Sequence, residues 1–241
     1  MKINCRKIGL IVMVLLLLAN GLYQISAQPV GGEIIFNETD NVQGAAAAEL
    51  TTAGGSFTTM VLNITQQNAR WKAYVGNVTG EMVLADSNDR RIYDWDLVTI
   101  TGEVFASRSN DLNWTNIGCV SDSILSNEED FLNITTSDTD SINQTFDQTT
   151  HKEFWVGSTY IQNSSCRAIA TYVNEQEQVV SEDAKFQEIL LDDNSNMVYA
   201  TVLEQDEQGY DAAKTFDFQM ILAEDKLAQS PTTYYFYAEI G

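Results

Sequence analysis

Seven asparagines stand in Asn-x-Ser/Thr triplets: Asn37, Asn63, Asn77, Asn113, Asn133, Asn143 and Asn163, with Thr in third place in all but the last. Such a triplet serves one chemistry, transfer of an oligosaccharide to the asparagine amide nitrogen, and that chemistry needs an exported chain and an exposed acceptor. The 16 asparagines beyond residue 27, with about one Ser or Thr in six positions, give roughly two to three triplets by chance. Seven therefore mark a glycoprotein with acceptors on turns and strand edges.

The remaining reactive side chains are sparse. Beyond residue 27 the only cysteines are Cys119 and Cys166, an even pair that in an oxidising compartment predicts one disulfide. Closing a loop of that length contributes about 4 kcal/mol in the chain-entropy picture. Without a Cys-x-x-Cys spacing, and with His151 the sole histidine, standing in a polar loop, no zinc site is expected. The string "DDNSNM" sets Asp192, Asn194 and Asn196 at alternate positions, a candidate calcium turn. It is not an EF-hand, because Met197 replaces the required glycine and Leu203 the bidentate glutamate. Trp71, Tyr74, Tyr93 and Trp95 cluster in "RWKAYVGNVTGEMVLADSNDRRIYDW", where they serve either as sheet aromatics or as a sugar-stacking platform. No Gly-x-Ser-x-Gly, phosphate-binding glycine loop or His-Glu-x-x-His motif occurs. Two facing carboxylates, the minimum for glycoside hydrolysis, could hide among 34 acidic residues, but no closely spaced acidic triplet points to them. No catalytic residue and no cofactor are assigned; calcium is the one candidate ion.

The segment that would export these groups comes first. Lys2, Arg6 and Lys7 precede the apolar run Ile8 to Ala19, and Ile25-Ser26-Ala27 ends on a small residue, so residues 1–27 read as a signal peptide with the mature chain starting at Gln28. The alternative is an uncleaved anchor, for which the run is short. No second apolar run follows, so no transmembrane anchor is expected after cleavage. The whole chain carries a net charge of −21, and losing three basic residues leaves 10 − 34 = −24. A surface that acidic excludes nucleic acid as a partner and suits a hydrated extracellular setting.

Alternation of period two runs through most of the rest. Val98, Ile100, Val104 and Ala106 share one face of a strand that Gly102 interrupts as a bulge, and Phe216 to Leu222 and Tyr234 to Ile240 alternate likewise. Residues 70–78 and 80–85 predict a hairpin around "GNVTG", with Asn77 near its tip. One helix is predicted over residues 122–133, capped by Asp122 or Ser123. The expected fold is all-β, an antiparallel two-sheet sandwich of jelly-roll or Ig-like type, with a short helix and a polar insertion at 121–150. It would occupy residues 57–241. Residues 28–56 read as an arm or linker, with a strand-like core at Glu33 to Asn37 and a small-residue tract at Ala45 to Ala48. As an arm, it would lend its strand to a neighbour's open sheet edge. As a linker, Ile34, Ile35 and Phe36 would pair within their own subunit.

The strings "WKAYVGNVTG", "VLADS" and "IYDW", with "FQEILLDDNSNMVYATVLEQDEQGYDAAKTFDFQMILAED" and "YYFYAEI", resemble a group of uncharacterised exported archaeal β-rich glycoproteins. The likeness spans about half the mature chain and imports no activity. It implies an extracellular or cell-surface glycoprotein. The expectation is a structural or adhesive component, array-associated or a filament subunit, whose partners are other surface proteins or copies of itself. The alternatives are a carbohydrate-binding module that takes glycans and, less favoured, a glycoside-acting enzyme.

Overall fold

The computed structural model describes residues 28–42, 46–227 and 231–241; the expected leader, residues 1–27, and Ala45 lie outside the described residues. In chain order the strands are β1 (Val30–Gly31), β2 (Trp71–Gly76), β3 (Met82–Ala85), β4 (Arg91–Trp95), β5 (Gly102–Ser107), β6 (Gly118–Cys119), β7 (Phe154–Val156) and β8 (Thr159–Ile161). They continue as β9 (Ala168–Ala170), β10 (Gln187–Asp192), β11 (Met197–Val202), β12 (Glu207–Gln208), β13 (Thr215–Phe216), β14 (Phe218–Ala223) and β15 (Tyr235–Ile240). Two helices, α1 (Asp122–Phe131) and α2 (Ile142–Thr145), lie between β6 and β7. The all-β antiparallel architecture expected from the alternation is the one adopted.

The centre is β10 against β11. Both strands are buried at every position, which is why "QEILLD" and "MVYATV" lack the polar face of a half-exposed strand. Around them runs the sheet order β1-β15-β5-β11-β10, with β6 and β9 both along the far side of β10. Its two faces carry separate cores. Val104, Ala106, Leu190 and Tyr199 face one core, closed by Met220 and Leu222 of β14, Leu125 of α1, and Leu132, Ile142 and Phe146. Phe105, Ile189, Leu191, Val198 and Ala200 face the other, closed by Trp114, Phe154, Val156 and Ile161. The sandwich therefore has a long central sheet, the β2–β14 ribbon with the helices on one face, and the β7–β8 hairpin on the other. Each large apolar side chain buried between these layers contributes about 1.5–3 kcal/mol.

The polar stretch 121–150 is part of this packing. Its apolar minority, Leu125, Leu132, Ile134, Ile142 and Phe146, enters the first core, and Glu128, Glu129 and Ser141 are buried with it while most of its other polar side chains face outward. Helix α1 starts at Asp122 as the sequence suggested, but its cap is Ser121 rather than Asp122 or Ser123, and the Ser121 backbone N–H is donated to Asp192 Oδ2. It ends where Asn133 takes a positive φ and Ile134 N–H returns to Glu129 O at 2.8 Å, satisfying the last carbonyls.

Three local expectations are corrected. The 70–78/80–85 hairpin does not form: β2 pairs over six residues with β14, and β3 pairs with β4 instead. Asp217 seals the β2–β14 choice, because its N–H donates to Gly76 O and its carboxylate accepts Val78 N–H at 2.8 Å. Gly102 opens β5 rather than bulging a longer strand. It has φ +122° against the Glu239 backbone, and Val98 before it is exposed. Glu33 to Asn37 forms no strand; the N-terminal pairing falls at Val30 and Gly31, opposite Ala238 and Tyr237 of the same chain. Among the described residues the stretch without strand or helix runs past residue 56, as far as Arg70.

Candidate functional site

The acceptor asparagines differ in what holds them. Asn113 caps the 3₁₀ turn Trp114–Asn116: its Oδ1 accepts the Thr115 hydroxyl at 2.7 Å and the Thr115 N–H at 3.3 Å. Trp114 anchors that turn between Phe105 and Tyr237, at 5.2 and 5.3 Å between ring centroids. The triplet is thus folded on itself over a rigid base, and its exposed amide nitrogen has no hydrogen-bond partner among the described residues. Asn77 is exposed just beyond β2, and Asn37 and Asn63 are exposed on the extended N-terminal segment. Asn133 is exposed with its amide donated to Asp225 Oδ1 at 3.0 Å. Asn143 is half-buried on α2, and Asn163 is half-buried with its amide donated to Glu182. Of the seven triplet asparagines, Asn113, Asn77, Asn63 and Asn37 are therefore the ones whose amides are open with least rearrangement.

The cysteine pair is bonded. Cys119 on β6 and Cys166 ahead of β9 join two segments that both border β10, with Cα atoms 4.9 Å apart. Beside this bond lies His151, fully buried rather than solvated in a loop. Its Nε2 accepts the N–H groups of Ser165 and Cys166, at 3.2 and 3.0 Å, so Nδ1 carries the proton and donates it to Lys152 O. Burial pushes its pKa below the ordinary histidine value, with the Lys152 carbonyl working against the shift. The sole histidine is a clamp on the disulfide loop.

The four aromatics singled out by sequence divide into two pairs. Trp71 and Tyr74 are half-buried against Phe146 and Phe236, and Trp71 Nε1 donates to Asp140 O; they belong to the core margin. Tyr93 and Trp95 on β4 are exposed, their rings 5.0 Å apart and inclined at 64°. A second exposed pair, Trp155 and Tyr160, faces across the β7–β8 hairpin at 5.1 Å. Sequence reading missed it, although two aromatics flanking "VGST" as cross-strand neighbours were its signal.

The acidic turn after β10 is occupied by its own backbone. Asp192 accepts Asn194 N–H and Ser121 N–H, while Asp193, passed over in the sequence, accepts N–H groups from Asn113, Ser195 and Asn196. Asn196 turns its amide to Asp193 rather than its oxygen to Asp192. Burial raises the Asp193 pKa, but these donors outweigh it and hold the carboxyl below its usual range. The turn thereby orients the Asn113 triplet.

Two carboxylates meet across β5 and β15, where Glu103 and Glu239 are register partners. Glu103 is 6% exposed, and burial, with Glu239 beside it, pushes its pKa up to about 8, opposed by Lys152. Glu239 is also raised by burial but accepts Gly157 N–H at 2.7 Å, so Glu103 holds the proton and Glu239 the charge. On the opposite face, Glu188 is fully buried and accepts Ile221 N–H at 2.9 Å, with its second oxygen unpartnered; burial raises its pKa well above normal. Neither carboxyl faces a described cavity. Two open depressions lie elsewhere: about 380 Å³ beside the Arg108–Glu128 pair, and about 510 Å³ where Arg70 and Lys226 meet Asp138 and Asp140. The charged side chains in each are already paired within the chain, Arg108 with Glu128 and Arg70 with Asp140.

Against this geometry, no family model, curated protein or solved structure matches the chain. Among the described residues, no helix is long and apolar enough to cross a membrane.

Proposed function

We propose that this protein is an exported cell-surface glycoprotein with a structural or adhesive role, acting in a surface layer or filament. The observation that carries the reading is the presentation of the acceptors. Five of the seven triplet asparagines are exposed, and Asn113 is held on a rigid, self-bonded turn with its amide nitrogen unengaged. The bonded cysteine pair and the strongly acidic composition suit the same compartment. Glycopeptide mapping of the protein from its native cells tests this. Sugar on Asn113 and Asn77, in the cell-surface fraction, is the expected result; unmodified peptides at all seven positions, or recovery only from the cell interior, would overturn it. A second reading, a carbohydrate-binding module, rests on the exposed Tyr93 and Trp95 rings. Binding to a glycan array that disappears in Trp95→Ala would favour it.

A further inference from the structure

The chain contains an unpaired segment with the composition of a strand and an incomplete sheet, at opposite ends of one ribbon. Among the described residues from Glu33 to Gln67 no strand forms and no hydrogen bond leaves the segment. Within it, "FTTMVLNI", residues 57–64, is uncharged, with Phe57 and Val61 each 93% exposed and Met60, Leu62 and Ile64 also exposed. Read as a strand, it sets Met60, Leu62 and Ile64 on one face and Phe57, Val61 and Asn63 on the other, so a glycan on Asn63 leaves the first face clear. The incomplete sheet is the β3–β4 ribbon. All nine of its residues are exposed, its only ladder is the one between its two strands, and Met82, Leu84, Tyr93 and Trp95 form one uncovered apolar face. Two strands alone are marginal in water, and a third is needed for a stable sheet.

Position and charge select the partner. The segment leaves the body at Trp71, where Asn68 and Arg70 are both tied to Asp140. The β3–β4 ribbon begins beyond Gly76, at the other end of β2, about 20 Å away at strand spacing. Only Thr65 to Gln67 lie free between Ile64 and that anchor, a reach of about 10 Å, so Ile64 does not reach the start of its own ribbon. A second copy can supply it. The chain as a whole carries −21, yet residues 50–95 hold four basic residues (Arg70, Lys72, Arg90, Arg91) and four acidic ones (Glu81, Asp86, Asp89, Asp94), 4 − 4 = 0. That stretch contains both donor and acceptor, and there two like-charged copies can meet without repulsion.

We propose that Phe57–Ile64 of one copy adds as the third strand to the β3–β4 ribbon of a second copy, with Met60, Leu62 and Ile64 extending the apolar face of Met82, Leu84, Tyr93 and Trp95. Donor and acceptor are different surfaces at opposite ends of β2, so the contact is heterologous, and the proposed assembly repeats it head-to-tail from copy to copy. This deepens the structural reading above and rests on it. The test is light scattering after size exclusion on the mature secreted protein, from nanomolar to high micromolar concentration. A ladder of oligomers growing with concentration is expected. Val61→Pro, which removes an N–H from the added strand, and Leu84→Lys, which charges the acceptor face, should each yield monomer only with unchanged melting temperature. Mixing the two variants should restore a one-to-one pair, because Leu84→Lys keeps its donor and Val61→Pro its acceptor. Monomer at all concentrations, oligomers that survive Val61→Pro, a closed dimer, or no pair on mixing would overturn the proposal. So would a melting temperature lowered by Val61→Pro, which would place the strand in its own sheet. Glycan-array binding without oligomers would also overturn it, assigning the ribbon face to sugar. Glycopeptide mapping is independent of every one of these outcomes, so either reading can fail without the other.

Discussion

Replacing Glu103 by Gln should make the protein more stable than the unsubstituted chain at alkaline pH, by an amount the structure sets. Glu103 lies on β5 opposite Glu239, almost fully buried, and its pKa rises from 4.5 in the unfolded chain to about 8 in the fold. Below the lower value both states hold the proton and nothing is gained or lost. Between the two values the folded state keeps a proton that the unfolded state releases, so stability falls as pH rises and the loss is complete above the folded pKa. Integrating that linkage gives a loss of about 2.5 kcal/mol between about pH 5 and 7 and roughly 1.4 kcal/mol more by about pH 9. Gln has the shape of the protonated acid and no titration. Urea unfolding of both proteins across that range, read as the difference between the two curves, removes the contribution of every other group. The difference should widen toward alkali in favour of Glu103→Gln. Parallel curves, or a difference that shrinks as pH rises, would refute the assignment of the proton to Glu103.

Three other outcomes are expected. His151 is held neutral by burial, so its contribution is fully present above the unfolded pKa of 6.5 and is lost as pH falls through the folded value; His151→Gln should flatten the acid limb of the stability curve, and an unchanged limb would show that the clamp carries no proton linkage. Replacing Cys119 and Cys166 together by Ser should cost about 4 kcal/mol in urea unfolding under non-reducing conditions, and a loss below 1 kcal/mol would mean that the β10 pairing on both sides holds the edge without the bond. Tyr199 is fully buried, and its hydroxyl sits beside Tyr234 and the Ala223 carbonyl without a hydrogen bond of good geometry, so Tyr199→Phe should be neutral or stabilising by about 1 kcal/mol; a loss of about 2 kcal/mol or more would show that one of these neighbours bonds that oxygen.

Much of the candidate site was legible because its signals are local. An acceptor triplet is three residues long, two cysteines allow one bond, and a net charge is a sum, so none of these waits on the fold. The alternating strands were legible for a related reason: with a period of two, the pattern at Phe218 to Ala223 or Tyr235 to Ile240 states which side chains face inward. What the pattern leaves open is the partner. Backbone ladders are the same for any pair of strands, so "WKAYVG" could pair equally with the next strand or with one more than 140 residues later. Asp217 and the shared core under Met220 and Leu222 decided for β14.

The same division runs through the groups that carry chemistry. Composition could count 34 acids, but only the register of β5 against β15 sets Glu103 beside Glu239 and raises its pKa. His151 looked solvated among polar neighbours and is a buried acceptor, because the disulfide loop folds two N–H groups onto its ring. Trp71 and Trp95 are indistinguishable as residues in one aromatic stretch; one lies on a ribbon that packs on a sheet, the other on a ribbon whose residues are all exposed. Local chemistry and periodicity were thus determined by the sequence alone. Burial, pairing and the electrostatics that follow from them were decided by tertiary structure, since each depends on residues distant in the chain.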